Sequence, residues 1–481
     1  MSSIKNDTLS SFKWGIIGRF STQGVNFLLG LIMARILTPE DYGTIGMIGI
    51  FIAIASTFVE SGFSNALIRK LNRTETDFST AFYFNIIVGL VAYGILFIAA
   101  PYIAIFFQSP ILKSIVRVIS LNIFIGSFAI VQNARLTIDL DFKSLAKISL
   151  ISTLVSGVLG VILAYKGFGV WALAYQSVTS NLLSMILLWI KAKWWPKEHF
   201  SRDSFHNLFS YGSKLLASSL LHTLYCNMTT LVIGKVYSSK DLGYYSRGEQ
   251  FATLPSSNIT NVLQRITFPI LSKLQNDSAR LIQIYRKYIR ITSICIFFLM
   301  CLLAALAEPV IITLLTDKWA NSIIYLQIFC FALMFDHICL LNLNLLQVKG
   351  RSDLFLRLEI IKKSISFTIL MISIPFGVLT ICLSKVLYTQ IAVYINTYYT
   401  GKLFGLGYIA QIKDFAKYLF ISLISVAPAY LLTYSPLPQL YILCIGSILA
   451  VALYLYFLRN DIYMQEIINI IKSFIAKYCK R

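Results

Sequence analysis

The nine residues Arg35-Ile-Leu-Thr-Pro-Glu-Asp-Tyr-Gly43 have a counterpart two hundred positions later, in Lys235-Val-Tyr-Ser-Ser-Lys-Asp-Leu-Gly243. Both stretches run from a cation through two bulky residues and a hydroxyl to an aspartate, a bulky residue and a glycine. Each follows a long apolar run that opens on Phe-x-aromatic-Gly, at Phe12–Gly15 and at Phe209–Gly212. This repetition predicts two related halves. Membrane proteins built in this way are most often transporters.

Composition places both halves in a membrane. The chain has 481 residues, of which 57% are hydrophobic and only 13% are charged, whereas soluble domains carry about a quarter charged residues. The apolar residues form blocks of about twenty, the length that crosses roughly 30 Å of hydrocarbon as a helix. The sequence therefore predicts an all-α integral membrane protein with about fourteen transmembrane helices. The blocks are 15–37, 43–68, 80–107, 114–133, 145–165, 169–190, 211–233, 248–272, 288–308, 322–347, 357–378, 380–400, 415–434 and 437–458.

The net charge of +21 follows the alternation of these blocks. If the amino terminus is cytoplasmic, the predicted inner loops and tails carry 31 of the 42 lysines and arginines. Positive residues mark the cytoplasmic side of membrane proteins, so both termini are predicted to be cytoplasmic. The charge is explained by membrane topology, with some attraction to anionic lipid, and no nucleic-acid partner is expected.

Six predicted spans separate the two copies of the repeat, so the halves should have the same orientation. Parallel repeats imply a pseudo-two-fold axis along the membrane normal. The prediction is two parallel six-helix bundles joined by a linker, followed by a helix pair and an amphipathic tail on the inner leaflet. The corresponding ranges are 1–190 for the first bundle, 191–210 for the cytoplasmic linker, 211–400 for the second bundle, 401–458 for the additional helix pair and 459–481 for the tail.

Several kinds of chemistry are excluded by what the sequence lacks. No extramembrane segment is long enough for the catalytic domain of a membrane glycosyltransferase or polymerase, and no phosphate-binding G-x-x-x-x-G-K-[ST] loop is present. Neither a metal-ligand spacing nor a nucleophile with a plausible base partner occurs. We therefore expect no catalytic residues, no metal and no cofactor, and we expect a transporter rather than an enzyme.

Charged residues inside the predicted spans are the candidates for function. Arg19 and Arg265 lie in the first and eighth spans, where a charge costs about 2.5–3.5 kcal/mol even on a lenient insertion scale. Glu60 lies at similar depth in the second span. Three interpretations stay open. An Arg19–Glu60 pair holds neighbouring helices together, the side chains snorkel toward the inner headgroups, or the two arginines line a cavity and bind an anion such as phosphate.

The eighth block, 248–272, is the least apolar, and its polar residues Ser257, Asn261, Gln264 and Arg265 fall on one helical stripe. Such a stripe must face other protein or a water-filled cavity. We therefore predict Asn261 and Gln264 as polar cavity residues. His222 in span seven is a further cavity candidate, while Asp336 and Lys385 could bind substrate or carry a proton.

Family-level motifs are scattered along about 70% of the chain. Ala34–Gly43 together with Ser61-Gly-Phe-Ser-Asn-Ala-Leu-Ile68 resembles the amino-terminal signature of Wzx/WzxC-type polysaccharide transporters. The later matches occur in the expected order. They are Leu242-Gly-Tyr-Tyr-Ser-Arg-Gly-Glu-Gln250, Phe268-Pro-Ile-Leu-Ser-Lys-Leu274, Lys318-Trp319 and Asn344-Leu-Leu-Gln-Val-Lys-Gly-Arg-Ser-Asp353.

This family is part of the multidrug/oligosaccharidyl-lipid/polysaccharide exporter superfamily. The resemblance implies two parallel six-helix lobes around a cavity. It also implies flipping of undecaprenyl-pyrophosphate-linked oligosaccharide, an O-antigen, capsule or exopolysaccharide unit, from the cytoplasmic to the periplasmic leaflet of a bacterial inner membrane. The implied partners are the lipid-linked oligosaccharide, membrane lipids, and a polysaccharide polymerase with its export machinery. Arg19 and Arg265 match by position the cavity arginines that are common in such flippases.

The alternative is a cation-coupled small-molecule or drug exporter of the same superfamily. An acidic, aromatic cavity is expected for cationic substrates, whereas the deepest charges singled out here are net positive. With no nucleotide site, the candidate driving forces are an ion gradient or the removal of product outside. Glu60 is the first candidate for coupling through proton exchange and Asp336 is the second.

Overall fold

The computed structural model describes the backbone of residues 2–60 and 62–479, and the side chains of residues 14, 15, 17–60, 62–469, 472 and 473. Ser61, part of one family motif, lies outside the described residues. Throughout the described backbone the regular structure is helical, as expected from the apolar blocks. Contacts between residues divide the chain into two units, the first ending at Gly243 and the second beginning at Tyr244.

The first unit contains ten complete helices. They are α1 (Ser2–Ile36), α2 (Pro39–Glu60), α3 (Phe63–Arg69), α4 (Glu75–Phe106), α5 (Ile111–Ile119), α6 (Leu121–Ser127), α7 (Ile130–Ile138), α8 (Phe142–Tyr165), α9 (Val170–Ala192) and α10 (Arg202–Val236). Its aromatic core holds the short helix α3 in place. Phe63, fully buried, stacks on Phe84 of α4 with ring centroids 4.6 Å apart and on Phe205 of α10 at 6.0 Å.

The helix α11 (Ser239–Lys273) begins in the first unit and continues into the second. Nine further α-helices and two short 3-10 helices (Asp317–Trp319 and Ile374–Phe376) complete the second unit. The α-helices are α12 (Ser278–Ala305), α13 (Ala307–Leu315), α14 (Ser322–Leu333), α15 (Asp336–Val348), α16 (Ser352–Ser373), α17 (Val378–Phe404), α18 (Tyr408–Leu432), α19 (Gln439–Phe457) and α20 (Ile462–Cys479).

Ten helical stretches of the described chain are long and apolar enough to cross a membrane, and a pair bent by 42° makes an eleventh. The ten are α2–α3, α4, α8, α9, α10, α12, α14–α15, α17, α18 and α19, and the bent pair is α5–α6 with α7. The chain is therefore a multi-pass helical membrane protein. The three remaining predicted blocks fall on α1, α11 and α16, which are long helices outside these eleven stretches, so the total of fourteen stays a prediction.

The two copies of the sequence repeat form the same corner between helices. In each copy one long helix ends, a two-residue turn follows, and the next helix begins, at Pro39 in one copy and at Ser239 in the other. The Asp41 backbone N–H donates to Thr38 Oγ1 (3.2 Å) and the Thr38 N–H to Asp41 Oδ2 (2.9 Å). In the second copy the Asp241 N–H donates to Ser238 Oγ (3.1 Å). The hydroxyl and the aspartate of the motif are thus helix-capping residues.

The two glycines of the repeat bring the corners into direct contact. A Cβ placed on Gly43 would collide with the carbonyl oxygen of Ser239, and a Cβ on Gly243 would collide with that of Pro39. The contact is reciprocal, because each glycine meets the first helical residue of the other copy. A contact in which i meets j and j meets i is the mark of a two-fold relation, so the internal repeat is also a local structural symmetry.

The contacts between residues and the sequence repeat divide the chain at different points. The helix α10, which the repeat assigns to the second bundle, packs on α2, α3 and α4 of the first unit. One bond across this packing joins the hydroxyl oxygens of Thr57 and Thr223, 3.2 Å apart. The repeat-based division at 191–210 describes related halves rather than contacts, and it stays a prediction.

The carboxy-terminal helix α20 is tied to the second unit by ionic contacts. Lys417 of α18 lies 2.6 Å from the Asp461 carboxylate, and Lys287 of α12 pairs with Glu466. Burial would raise the pKa of Asp461, but Lys417 and the backbone N–H groups of Tyr463 and Met464 hold that pKa below its ordinary value. The tail is therefore attached to the protein at its beginning, whereas the side chains of its predicted apolar face beyond residue 469, including Phe474 and Ile475, lie outside the described ones.

The glycine contact predicts different results for glycine substitutions at the contact, in α2 and α11, and for one away from it. We expect Gly43→Ala and Gly243→Ala each to destabilise the protein by about 1–3 kcal/mol, because a backbone oxygen cannot move aside as a side chain can. The measurement is thermal unfolding of the detergent-solubilised protein. Gly49→Ala is the matched control: it lies on the same helix with open space around it and should leave the melting temperature equal or higher. Equal losses in all three variants would contradict the prediction.

Candidate functional site

The first-span candidate, Arg19, lies beside the face of α1 that packs on α8. Gly18 contacts Ala146 of α8, and the Thr22 hydroxyl donates to Ser149 Oγ at 3.4 Å, so the Gly18–Thr22 side of α1 faces α8. Arg19 lies one position on from Gly18, roughly 100° around the helix, and its side chain is exposed. Because a bare guanidinium in hydrocarbon is costly, this exposure favours a water-filled surface.

The eighth-span candidate, Arg265, is exposed for a similar reason. The opposite side of α11 is buried in the second unit, where the Ser256 hydroxyl donates to the Leu333 carbonyl (3.1 Å) and Asn344 donates to the Thr267 hydroxyl (3.1 Å). This packing leaves Gln264 and Arg265 exposed. The polar stripe predicted from sequence is therefore the unburied face of α11; it continues through Asn261 and Ser257, which are partly buried.

A proline near the end of α11 adds a polar group beside this arginine. Pro269 lies inside the helix and has no N–H to donate to the carbonyl of Arg265, four residues earlier. The stripe therefore carries a backbone acceptor next to its cation. An exposed guanidinium, an amide and a freed carbonyl together can bind a ligand that has both anionic and hydroxyl groups.

The predicted Arg19–Glu60 pair is absent from this conformation. Among the residues that the structure describes, no ion pair within 4.0 Å involves Arg19, Glu60 or Arg265. Arg19 and Arg265 belong to different units, so each is described within its own unit. The interpretation as a permanent structural pair loses its geometric basis, while binding of an anion by the arginines stays a prediction.

Glu60 lines a polar cavity inside the first unit. The cavity has a volume of about 270 Å³ and lies among the end of α2, the start of α3, the start of α7 and the first half of α10. Its lining residues are Thr57, Glu60, Gly62, Ser64, Asn65, Ile130, Asn133, Leu215, Leu216 and Ser219. Amides and hydroxyls dominate this lining, which suits a hydroxyl-rich or hydrated ligand better than an apolar one.

His222 lies on the same stripe of α10 that lines this cavity. Leu215, Ser219, His222 and Cys226 follow one another at helical spacing, and His222 is exposed one turn beyond Ser219. Its ring contacts the Cys226 sulfur, with Nε2 to Sγ at 3.5 Å. The sequence-based choice of His222 as a cavity candidate is thus compatible with its place on the helix, although it is not among the cavity-lining residues.

The second unit contains a triad of charged residues, two of which are candidates from the sequence. Lys385 of α17 pairs with Glu249 of α11 through an N–O distance of 2.5 Å, and Asp336 of α15 is close enough to interact electrostatically with Lys385. Asp336 and Lys385 were singled out from sequence, but Glu249 was read only as part of a family motif. The signal available for it was its position as the lone carboxylate of the predicted eighth span.

This triad changes the charge balance that the sequence suggested. Two carboxylates surround one ammonium in this triad, so the intramembrane charges are not uniformly cationic. The Lys385 ammonium also lies 4.8 Å from the centre of the Phe329 ring, a favourable cation–π distance. Asp336, the second coupling candidate, is the member of the triad without a direct ion pair within 4.0 Å among the described residues.

Two polar residues near the end of span ten serve helix packing. Asn342 Nδ2 donates to Gln411 Oε1 (2.9 Å), and Gln411 Nε2 donates back to Asn342 Oδ1 (2.9 Å). The Thr400 hydroxyl donates to the same Asn342 oxygen at 2.7 Å. All three side chains are fully buried or nearly so. Together with the bond from Asn344 to Thr267, they join helices rather than contact a substrate.

The partly buried pair of Glu249 and Lys385 predicts that a double substitution rescues either single one. Glu249→Gln or Lys385→Met alone should destabilise the protein by about 2 kcal/mol, because each leaves a partly buried charge without its hydrogen-bonded partner. The double variant Glu249→Gln/Lys385→Met removes both charges and should recover most of that loss. Melting temperatures in detergent test this by a double-mutant cycle. Additive losses in the double variant would show that the two residues do not stabilise each other.

Comparisons with known proteins identify a family and relatives that the chain resembles. A family model described as "Polysaccharide biosynthesis protein" matches residues 32–324. The teichuronic acid biosynthesis protein TuaB of Bacillus subtilis is 25% identical over 356 residues, which cover 74% of each chain. The lipopolysaccharide biosynthesis protein WzxC of Escherichia coli is 22% identical over 366 residues, covering 75% of this chain and 74% of that one.

Solved structures show the same fold at low sequence identity. A lipid II flippase MurJ, in an inward closed conformation, superposes with a TM-score of 0.68 at 15% identity, covering 94% of this chain and 99% of that chain. An inward-facing multidrug resistance MATE family transporter of the MOP superfamily gives a TM-score of 0.61 at 16% identity, covering 84% and 99%. These likenesses establish the helical architecture, and the residues of the site are argued from their own geometry.

Proposed function

Because the chain belongs to the polysaccharide biosynthesis protein family, whose members are membrane transporters rather than enzymes, we propose that it flips undecaprenyl-pyrophosphate-linked oligosaccharide. The headgroup would move from the cytoplasmic to the periplasmic leaflet of a bacterial inner membrane by alternating access. The observation that carries this proposal is the exposure of two arginines, Arg19 and Arg265, on helices predicted to span the membrane, each without an ion-pair partner among the described residues. A diphosphate is the natural bidentate ligand for such guanidinium groups.

In this mechanism each part of the substrate has a different environment. The diphosphate binds Arg19 and Arg265, and the glycan meets the polar face that Asn261 and Gln264 begin, with His222 as a further polar contact. The polyprenyl tail stays in lipid, so only the polar headgroup has to be shielded from hydrocarbon. Shielding matters because an unsatisfied charge or hydroxyl in the membrane interior costs several kcal/mol.

The same proposal includes the sequence-based layout. The chain is divided into bundles 1–190 and 211–400, a linker at 191–210, a helix pair at 401–458 and a tail at 459–481, with fourteen spans and both termini in the cytoplasm. Reciprocal contact between Gly43 and Gly243 supports parallel repeats. The partners are lipid-linked oligosaccharide, membrane lipids and, downstream, a polysaccharide polymerase with its export machinery.

Arginine variants test the anion site. In a flippase-deficient strain, Arg19→Ala and Arg265→Ala should each lose surface glycan by about 100-fold, the cost of losing a charge-assisted bidentate contact, while expression and membrane insertion stay normal. Arg19→Lys and Arg265→Lys are the matched controls, which keep the charge and should retain part of the activity. Full complementation by both alanine variants would rule out the arginine site.

The alternative, a cation-coupled small-molecule or drug exporter, is favoured by one observation, the two carboxylates of the Glu249–Lys385–Asp336 triad. The two functions differ in the phenotype of a deletion strain. Deletion of a flippase leaves drug susceptibility unchanged and removes surface glycan. Deletion of a drug exporter raises drug susceptibility and leaves surface glycan unchanged.

Energy coupling is proposed to use Glu60, with Asp336 as the second candidate. Glu60 lines a polar cavity and forms no ion pair with any described residue in this conformation. Approach of Arg19 in another conformation would favour its ionised form, and separation would favour protonation. We expect Glu60→Gln to flip substrate in liposomes without responding to an imposed pH gradient, whereas wild-type flipping responds. Asp336→Asn is the parallel variant. Wild-type flipping that is indifferent to both proton and sodium gradients would exclude this coupling.

A further inference from the structure

A second pocket lies at the end of α3, outside the cavity that contains Glu60. It has a volume of about 280 Å³, and it opens where α3 ends against the first turns of α10. Its lining residues are Ala66, Arg69, Lys70, Asn207, Leu208 and Tyr211. Two cations, an amide and a phenol in one pocket make a donor-rich surface. The topology predicted from charge puts this end of both helices on the cytoplasmic side.

The cations around this pocket have different partners. Lys70 forms two hydrogen bonds with the buried Asp77 carboxylate, at 2.8 and 2.7 Å, so its charge is compensated. Arg73 donates to the Leu67 carbonyl at 3.3 Å near the end of α3. Arg69 is different: no carboxylate lies within 4.0 Å of it in the described part of the chain. The pocket therefore keeps one uncompensated positive charge.

The geometry of Arg69 is fixed by an aromatic ring. Its guanidinium carbon lies 4.5 Å from the centre of the Tyr211 ring, within the range of a cation–π contact. Such stacking occupies the face of the guanidinium and leaves its N–H edges available for hydrogen bonds. Since α3 itself is held by the buried Phe63, Arg69 is presented by a fixed backbone.

The pocket and the Glu60 cavity are adjacent along the same two helices. On α3 the lining changes from Ser64 and Asn65, in the cavity, to Ala66 in the pocket. On α10 it changes from Leu215 to Tyr211, about one helical turn apart. The α3–α10 boundary thus carries a polar surface from an arginine at one end to Glu60 at the other.

We propose that Arg69, with Asn207 and Tyr211, binds a phosphate-bearing headgroup at the membrane surface, before it reaches the interior of the protein. Recognition of phosphate follows from the uncompensated guanidinium and the donors beside it. That the headgroup is the diphosphate of a lipid-linked glycan rests on the proposed function. An anionic phospholipid offers the same chemistry, and the two sources can be distinguished.

Binding of farnesyl diphosphate to the full chain in phosphatidylcholine nanodiscs tests this site without any transport assay. We expect Arg69→Gln to weaken binding by about tenfold, the effect of one charge-assisted contact, and Arg69→Lys to weaken it less. Arg117→Gln is the matched control, since Arg117 lies 4.3 Å from the centre of the Phe97 ring on another helix of the same unit. It should bind as the wild type does.

Two outcomes overturn the proposal: unchanged binding by Arg69→Gln, or equal weakening by Arg69→Gln and Arg117→Gln. Melting temperatures separate loss of binding from loss of folding. Tyr211→Phe, which keeps the ring but removes the phenol donor, should weaken binding less than Arg69→Gln does. Nanodiscs with phosphatidylglycerol identify the source. If this lipid displaces farnesyl diphosphate from the wild type, the site takes bulk anionic lipid, and otherwise it takes the diphosphate. Because the readout is binding, failure of the flippase proposal would appear in the complementation assay alone.

Discussion

A polar group buried among membrane helices is stabilised by a partner in the protein, and this constraint accounts for several of the buried polar contacts in the structure. Asn342, Gln411 and Thr400 satisfy one another in a fully buried network. The Lys385 ammonium is neutralised by Glu249. Polar groups that do not follow this rule are informative because they need water or a ligand. Arg19, Glu60 and Arg265 are such groups, and the proposed function is built on them.

Each helix that carries a candidate arginine packs through one face and leaves another face exposed. The buried face of α11 is held in the second unit by Ser256, Leu263 and Thr267, and its other face is polar. In the same way, α1 packs on α8 through Gly18 and Thr22 while Arg19 is left exposed. Small residues on one side permit close packing, and this packing orients the charged residue on the other side.

Much of the architecture could be predicted from sequence because it depends on local pattern. Apolar blocks locate helices, and the stripe of Asn261, Gln264 and Arg265 identifies an unburied face, since both follow from helical periodicity. Pairings between helices depend on tertiary packing, which no local pattern encodes. Glu249 and Lys385 are separated by 136 positions, and the Arg19–Glu60 pair, predicted as one alternative from similar depth alone, is absent from this conformation.

The repeat contains residues whose role can be predicted from sequence and residues whose role cannot. Its threonine or serine and its aspartate are readable as caps, but the need for its glycines appears only when both copies meet. At that crossing Gly43 and Gly243 each approach the other copy's first helical residue. A self-complementary contact of this type requires a single surface, used twice. A half-length ancestor with one corner would already have contained everything needed to form the crossing with a second copy of itself, so duplication and fusion of one gene would preserve the contact without any new interface.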